Sequence, residues 1–241
     1  VALPGRTPPP APPVQIGSPS LAFLDLPLLG ASVAPESGYV AAVQVPWPGN
    51  VAVYASAQTS GYQLKALVAA AATMGVTQSV LEPGPEGRID WRAALRVKLT
   101  HGALSSADSV SMLGGVNNAA VRNGDGDWEV IQFLNAVLVD VQTYELTGLL
   151  RGQGGSEVAM QASVSAGAPF VLLDSAVTRV PLAFGDLNLP FNWRYGPGNR
   201  SIGDPSYVTT VHSYKGLGLC PLSPVRVTGA LTSAGELGLA K

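Results

Sequence analysis

Glycine and proline punctuate this chain so densely that they decide most of what it can fold into. The 28 glycines and 20 prolines occupy roughly 20% of the 241 positions, against an average near ~12%. Inside a helix glycine costs about 1 kcal/mol and proline about 3 kcal/mol relative to alanine. A coiled coil or helical bundle needs long runs free of both, and both are excluded. Hydrophobic residues make up 46% and charged residues 12%, which also excludes a charged disordered chain. What survives is a fold of short segments joined by turns.

The segments between the breakers read as strands. Pro4 to Pro13 (PGRTPPPAPP) is an extended polyproline spacer, because consecutive prolines fix φ and remove donors. Apolar segments then follow at Leu21–Leu29, Tyr39–Val45 and Val51–Ala55, each bounded by Gly, Pro or Asn. Tyr62–Met74 is alanine-rich and tempts a helix assignment. It lacks a cap, however, and its Tyr62, Leu64, Ala66 and Val68 fit a period of two, so a strand is expected. Leu95–Thr100 alternates apolar and polar residues, as a half-buried strand does.

The clearest element is a set of antiparallel strands around Trp128–Phe133, Ala136–Val141 and Tyr144–Leu150, preceded by the turn Asn123–Asp127 and joined by Gln142-Thr143. Phe170–Leu173, Val177–Phe184, a turn-rich tract to Pro205, Tyr207–Tyr214 and Val225–Gly229 complete the pattern. The expectation is an all-β chain of two or so small antiparallel sandwich-like or barrel-like domains with long loops. The expected units are a Pro-rich linker over 1–20, β domains over 21–105 and 106–229, and a tail over 230–241.

Charge narrows the function classes. The 14 Lys and Arg do not cluster and the net charge is −2, so there is no electrostatic footprint for a nucleic-acid backbone. No apolar run approaches the ~20 residues of a membrane span. The chain begins at Val1, which reads as a piece of something longer. So few charges in a chain without a membrane span point to surfaces covered by partners.

Motifs for chemistry are weak. Asn123-Gly-Asp125-Gly-Asp127 places oxygens at alternate positions, but an EF-hand loop requires Gly at its sixth position and Glu at its twelfth. Trp128 and Leu134 stand there, so a hairpin turn is expected and no metal. Cys220 is the only cysteine and excludes an internal disulfide. His101 and His212 have no nucleophile at a recognisable spacing, the carboxylates are scattered, and no cofactor is expected. Asn199-Arg-Ser201 is a formal glycosylation sequon. Trp47, Trp91, Trp128 and Trp193 could stack on sugars, although such residues in β-proteins mostly serve the core. Arg151-Gly-Gln153-Gly-Gly155 is not a phosphate loop, since no Gly-Lys-Ser/Thr follows.

Taken as strings, Trp128-Glu-Val-Ile-Gln-Phe133 and Tyr144-Glu-Leu-Thr-Gly-Leu-Leu-Arg-Gly-Gln153-Gly-Gly-Ser-Glu157 carry more. They resemble a signature of the large tail-tip (baseplate hub, host-specificity) proteins of gene transfer agents and related siphophages. Asp25-Leu-Pro-Leu-Leu29, Gly84-Pro-Glu-Gly-Arg-Ile-Asp90, Gly102-Ala-Leu-Ser105, Tyr195-Gly-Pro197 and Pro221-Leu-Ser-Pro224 fall in the same order. The resemblance spans roughly Leu21 to Val227, with Ser156 in place of the usual Thr. It implies the C-terminal portion of a longer virion structural protein. Such a protein closes the distal tail tube as a homotrimer, contacts other tail proteins and links them to host-recognition parts. Any catalytic domain would lie upstream, so this portion is expected to be non-enzymatic.

Two turn-rich loops are the expected partner contacts, one at Asn123, Asp125 and Asp127 and the other at Arg151 and Gln153. Two alternatives stand beside this reading. A carbohydrate-binding sandwich appended to a secreted hydrolase predicts exposed aromatics on one face. A hydrolase using His101 or His212 predicts activity lost on their replacement.

Overall fold

The structure, a computed structural model, describes residues 17–27 and 34–220, together with the backbone of two further strands, Thr228–Leu231 and Leu237–Ala240, which pair with each other. Residues 1–16 of the linker expected over 1–20 and most of the Val225–Gly229 strand lie outside the described residues, and Ser20 already belongs to a strand. The chain is all-β and every strand pairing is antiparallel.

The largest unit is a closed six-stranded barrel. Its strands are β5 (Met74–Thr77), β6 (Asp90–His101), β7 (Asn118–Arg122), β8 (Trp128–Asp140), β9 (Thr143–Leu150) and β10 (Pro169–Leu172). They run around the barrel in the order β10-β5-β6-β9-β8-β7, and β7 closes on β10. Closure removes the free edges that an open sheet would leave. The interior is filled by alternate residues, among them Leu95, Val97 and Leu99 of β6, Ile131 and Phe133 of β8, and Phe170 of β10. Each such side chain contributes about 1.5–3 kcal/mol by leaving water. The alternation expected over Leu95–Thr100 is therefore present, with Arg96, Lys98 and Thr100 outside.

Two open sheets pack beside the barrel. One has three strands in the order β1 (Ser20–Leu24), β2 (Gly38–Val43) and β11 (Thr178–Val180). The other has four, ordered β13 (Val208–His212), β12 (Phe191–Pro197), β3 (Val51–Ser56) and β4 (Gln63–Val68). All six residues of β2 are buried, because it faces cores on both sides. Tyr39, Ala41 and Val43 pack with Met74, Ala120, Trp128, Val130 and Val171 from the outer wall of the barrel. Val40 and Ala42 pack with Val51, Val53, Trp193 and Tyr195 of the four-stranded sheet. A strand buried on both faces has no polar face to show, which is why the sequence GYVAAV does not alternate.

Several expectations are corrected. The boundary expected at 105/106 falls within the barrel, which takes β5 and β6 from one side of it and four strands from the other. The open sheets likewise combine segments from both halves, since β3 pairs with β12 and β2 with β11. Tyr62–Met74 is not one strand: β4 covers Gln63–Val68, and Met74 begins β5. The tract before Pro205 contains β12, whose Trp193 is buried against the sandwich core. Two short helices were not anticipated, α1 (Ser109–Leu113) and α2 (Glu157–Met160). Asp108 starts α1 by accepting hydrogen bonds from the amides of Val110 and Ser111, both at 2.9 Å, satisfying donors that a helix start leaves unpaired.

Candidate functional site

Trp128 opens β8 on the outer wall of the barrel and donates its indole N–H to the carbonyl of Phe23 at 2.9 Å. That bond ties the barrel to the edge of β1. Below it lies a groove of about 510 Å³ between β1, the start of β5, the Asn123–Asp127 turn and the end of β13. Leu21, Phe23, Met74 and Val76 contribute apolar walls, and Asp25, Arg122, Asp125, Asp127, His212 and Lys215 contribute the polar groups.

Asp25, Asp127, Lys215 and Arg122 have hydrogen-bond or ion-pair partners, whereas His212 Nε2 is buried without one among the described residues. The buried Asp25 carboxylate accepts the backbone amides of Lys215, Gly216 and Leu217, the last two at 3.2 and 3.0 Å. Three converging amides act as a small anion-binding nest. Lys215 turns its ammonium to Asp127 in a half-exposed ion pair. Arg122 donates its Nε–H to the Gly126 carbonyl at 3.0 Å and is exposed beyond it. His212 stacks on Phe23, with ring centroids 4.5 Å apart and planes at 18°. Burial pushes its pKa down to about 4, opposed by Asp25 and reinforced by Arg122, so the imidazole is neutral near pH 7.

The groove does not offer a sugar platform. The face of Phe23 is covered by His212, and Trp128 is buried with its N–H already engaged. Trp193 is buried as well, Trp47 packs against the sandwich core, and Trp91 alone of the four tryptophans is exposed. The stack of exposed aromatics that the carbohydrate alternative requires is not formed by these residues.

A second polar centre closes one end of the barrel. Glu129 shares the inward-facing parity of Ile131 and Phe133, and Arg151 that of Leu149, so charge enters the barrel mouth from adjacent strands. Arg151 donates Nε–H to Glu129 Oε1 at 2.6 Å and Nη2–H to Oε2 at 2.8 Å. Neither side chain has measurable exposure. Nη1–H goes to the Glu82 carbonyl at 2.8 Å, and the Gly152 amide adds a bond to Glu129 Oε1 at 3.1 Å. The following residues fold back over this pair. Gly152 takes φ 59°, where a side chain would be strained. Gln153 Nε2 donates to the Arg151 carbonyl, and Ser156 Oγ accepts the Val130 amide while donating to the Gln153 carbonyl.

The expected contact residues therefore divide. Asp125 and Asp127 lie on the groove. Asn123 is buried beneath them, where its Oδ1 accepts the amides of Asp125 and Asp127 at 3.0 and 2.9 Å and its Nδ2 donates to Ala159. The loop is an Asn-centred turn, its oxygen directed at backbone amides. Arg151 does not stand on the surface as expected: its side chain is fully buried and committed to Glu129. Gln153 is half-buried and braces the same loop.

Sequence reasoning passed over Asp25, Arg122 and Lys215 as groove residues and Glu129 as a buried charge. The signal for Glu129 was a lone carboxylate within the apolar run Trp128–Phe133, followed by a lone Arg closing the next strand.

No curated protein matches the chain. A family model described as "Rcc01698-like, C-terminal" matches residues 72–171, a span that begins two residues before β5, ends inside β10 and so contains both the barrel and its Glu129–Arg151 plug.

Proposed function

We propose that this chain is a structural module of a phage-like tail tip, part of a baseplate hub that closes the distal end of the tail tube and links it to host-recognition components. The observation that carries the reading is the coincidence of the matched segment with the barrel: the Trp128–Phe133 and Leu149–Gln153 strings that resemble the hub signature are the strands and loop that plug it. The family description bears a gene-transfer-agent-related name.

In this reading the module works mechanically and is non-enzymatic within these residues. The barrel, the three-stranded sheet and the four-stranded sheet are keyed together by β2, by the Trp128–Phe23 bond and by the Asp25 nest. A load applied to one layer is thus passed to the others through close-packed interior, which has low compressibility. Identical copies, three in the hub arrangement, would present the same surfaces around a closed ring.

The test is immunogold electron microscopy of particles from the producing cells, with antibodies against this segment. Label at the distal tail end is the expected result. Intact tails without label, with antigen recovered only as free protein, would overturn the reading.

A further inference from the structure

β8 outlasts its neighbour. β7 pairs with it only from Trp128 to Gln132, while β8 continues to Asp140 with β9 on its other side. Just beyond β7 the outer edge is partly occupied: the Leu134 carbonyl accepts the Ala107 amide at 2.8 Å, and the Ala136 amide donates to Ser106 Oγ at 3.0 Å. Further on, nothing among the described residues bonds to that edge. Backbone groups alternate in direction along an antiparallel strand. With Leu134 and Ala136 pointing outward, the N–H and C=O of Leu138 point outward too, into solvent.

The side chains here are as unusual as the edge. Val137, Leu138, Val139 and Val141 are 56, 60, 45 and 79% exposed. Proteins blunt free edges with bulges, lysines or proline. β4 does so, with Lys65 standing at its register shift against β3. The β8 extension has a register shift near its tip, between Leu138 and Asp140, but its only charge is Asp140. Three large apolar side chains on an unpaired edge whose single charge is Asp140, with Val141 exposed in the turn beyond, make a surface that another strand completes.

We propose that the outer edge of β8 from Val137 to Asp140 is a strand-addition site; Val141, in the turn beyond, has its N–H on Asp140 Oδ1 and its C=O on Thr143 Oγ1 and lies outside it. The occupant is an extended segment of a different polypeptide, apolar along its length and carrying a Lys or Arg opposite Asp140. Charge complementarity favours such a partner over a second copy of this chain. Antiparallel self-pairing about Leu138 sets Asp140 opposite Ala136 of the other copy and supplies no cation. Two edges this short also fall short of the ~1,200 Å² that stable association between free proteins requires. A segment tethered in an assembly needs no such area, because its effective concentration is high. This last step rests on the tail-tip reading; the chemistry of the edge does not.

The experiment is an amide NMR titration of the whole chain with a blocked peptide of alternating Thr and Val and one central Lys, up to millimolar concentration. The expected result is saturable shifts confined to Val137–Asp140 and their β9 partners, with slowed exchange at the Leu138 amide. Replacing the central Lys by Asp should weaken binding about threefold, the size of a cross-strand charge effect. Leu138→Pro removes the outward donor without removing a bond to β9 and should abolish binding. If it fails to fold, Val139→Lys serves as the edge-blocking variant. No shifts at these residues would overturn the proposal. So would equal binding of the Lys and Asp peptides, or concentration-dependent self-association centred on the same amides, which would assign the edge to a second copy. Unlabelled tails alongside specific peptide binding would remove the tail-tip reading and leave the strand-addition site standing.

Discussion

Arg151 holds Glu129 in a fork of two hydrogen bonds, 2.6 and 2.8 Å long, and neither side chain is exposed. A buried pair of this kind is weak evidence for stability, since two charges must be desolvated to form it. Its value here is positional. It fixes the end of β9 to the start of β8, and the Gly152 amide ties the following loop to the same carboxylate.

Removing one partner should be far worse than removing both. Glu129→Gln or Arg151→Met strands a buried charge or donor set and should cost about 3–5 kcal/mol. The double replacement Glu129→Leu with Arg151→Met should recover much of that loss. Urea denaturation of the three variants gives the coupling directly. Additive losses would show that the two residues do not act as a unit.

The close approach of β5 to β6 sets a second prediction. A Cβ built at Gly75 would lie 2.0 Å from the Lys98 carbonyl oxygen and 2.7 Å from Leu99 Cα. Both are backbone atoms, and they sit at the register shift between Met74 and Gly75. Gly75→Ala must therefore push two strands apart and should cost about 1–3 kcal/mol or more. Gly87→Ala is the comparison, since nothing lies within 4 Å of its Cβ and φ is positive. It should lose only about 1 kcal/mol, from backbone strain. Thermal unfolding of the pair separates crowding from conformation.

Asp25 gathers three amides from residues about 190 positions away in the chain. Asp25→Ala leaves those donors without their acceptor and should destabilise by about 1–3 kcal/mol. Asp25→Asn keeps one acceptor oxygen and should lose less. Hydrogen exchange at Gly216 and Leu217 should quicken in the Ala variant before global unfolding. Unchanged exchange there would mean that the turn stands without the carboxylate.

What could be read from the sequence and what could not divides along the same line of sequence distance. Leu95–Thr100 was legible because burial on one face writes a period of two into adjacent residues; the hairpin over Trp128–Leu150 was legible from its turn, although β8 runs unbroken from Trp128 to Asp140 where two strands were expected. β12 was hidden by Pro190 and the Gly196–Gly198 tract at its ends, which read as turn. The domain division failed because β3 with β12 and β2 with β11 are long-range pairings that leave no local trace. Asn123 was recognised as a turn residue but expected at a contact surface, whereas its amide is spent on Ala159, 36 residues away. Arg151 was read as loop because Gly152 follows it, and nothing local announces that its guanidinium turns back toward Glu129.

His212 gives the chain a pH dependence whose sign follows from its surroundings. Burial beside Phe23 and Tyr214 lowers its folded pKa to about 4, below the ~6.5 of an unfolded chain. Between those values the unfolded state binds more protons than the folded one, so stability rises with pH. The contribution is fully present above about pH 6.5 and is lost progressively as pH falls toward 4. A His212→Gln variant keeps a planar polar group without the titration. Its unfolding free energy should change less with pH across that window than that of the parent chain. Equal slopes in the two proteins would show that the imidazole titrates as it does in water and that the acid sensitivity lies in the carboxylates.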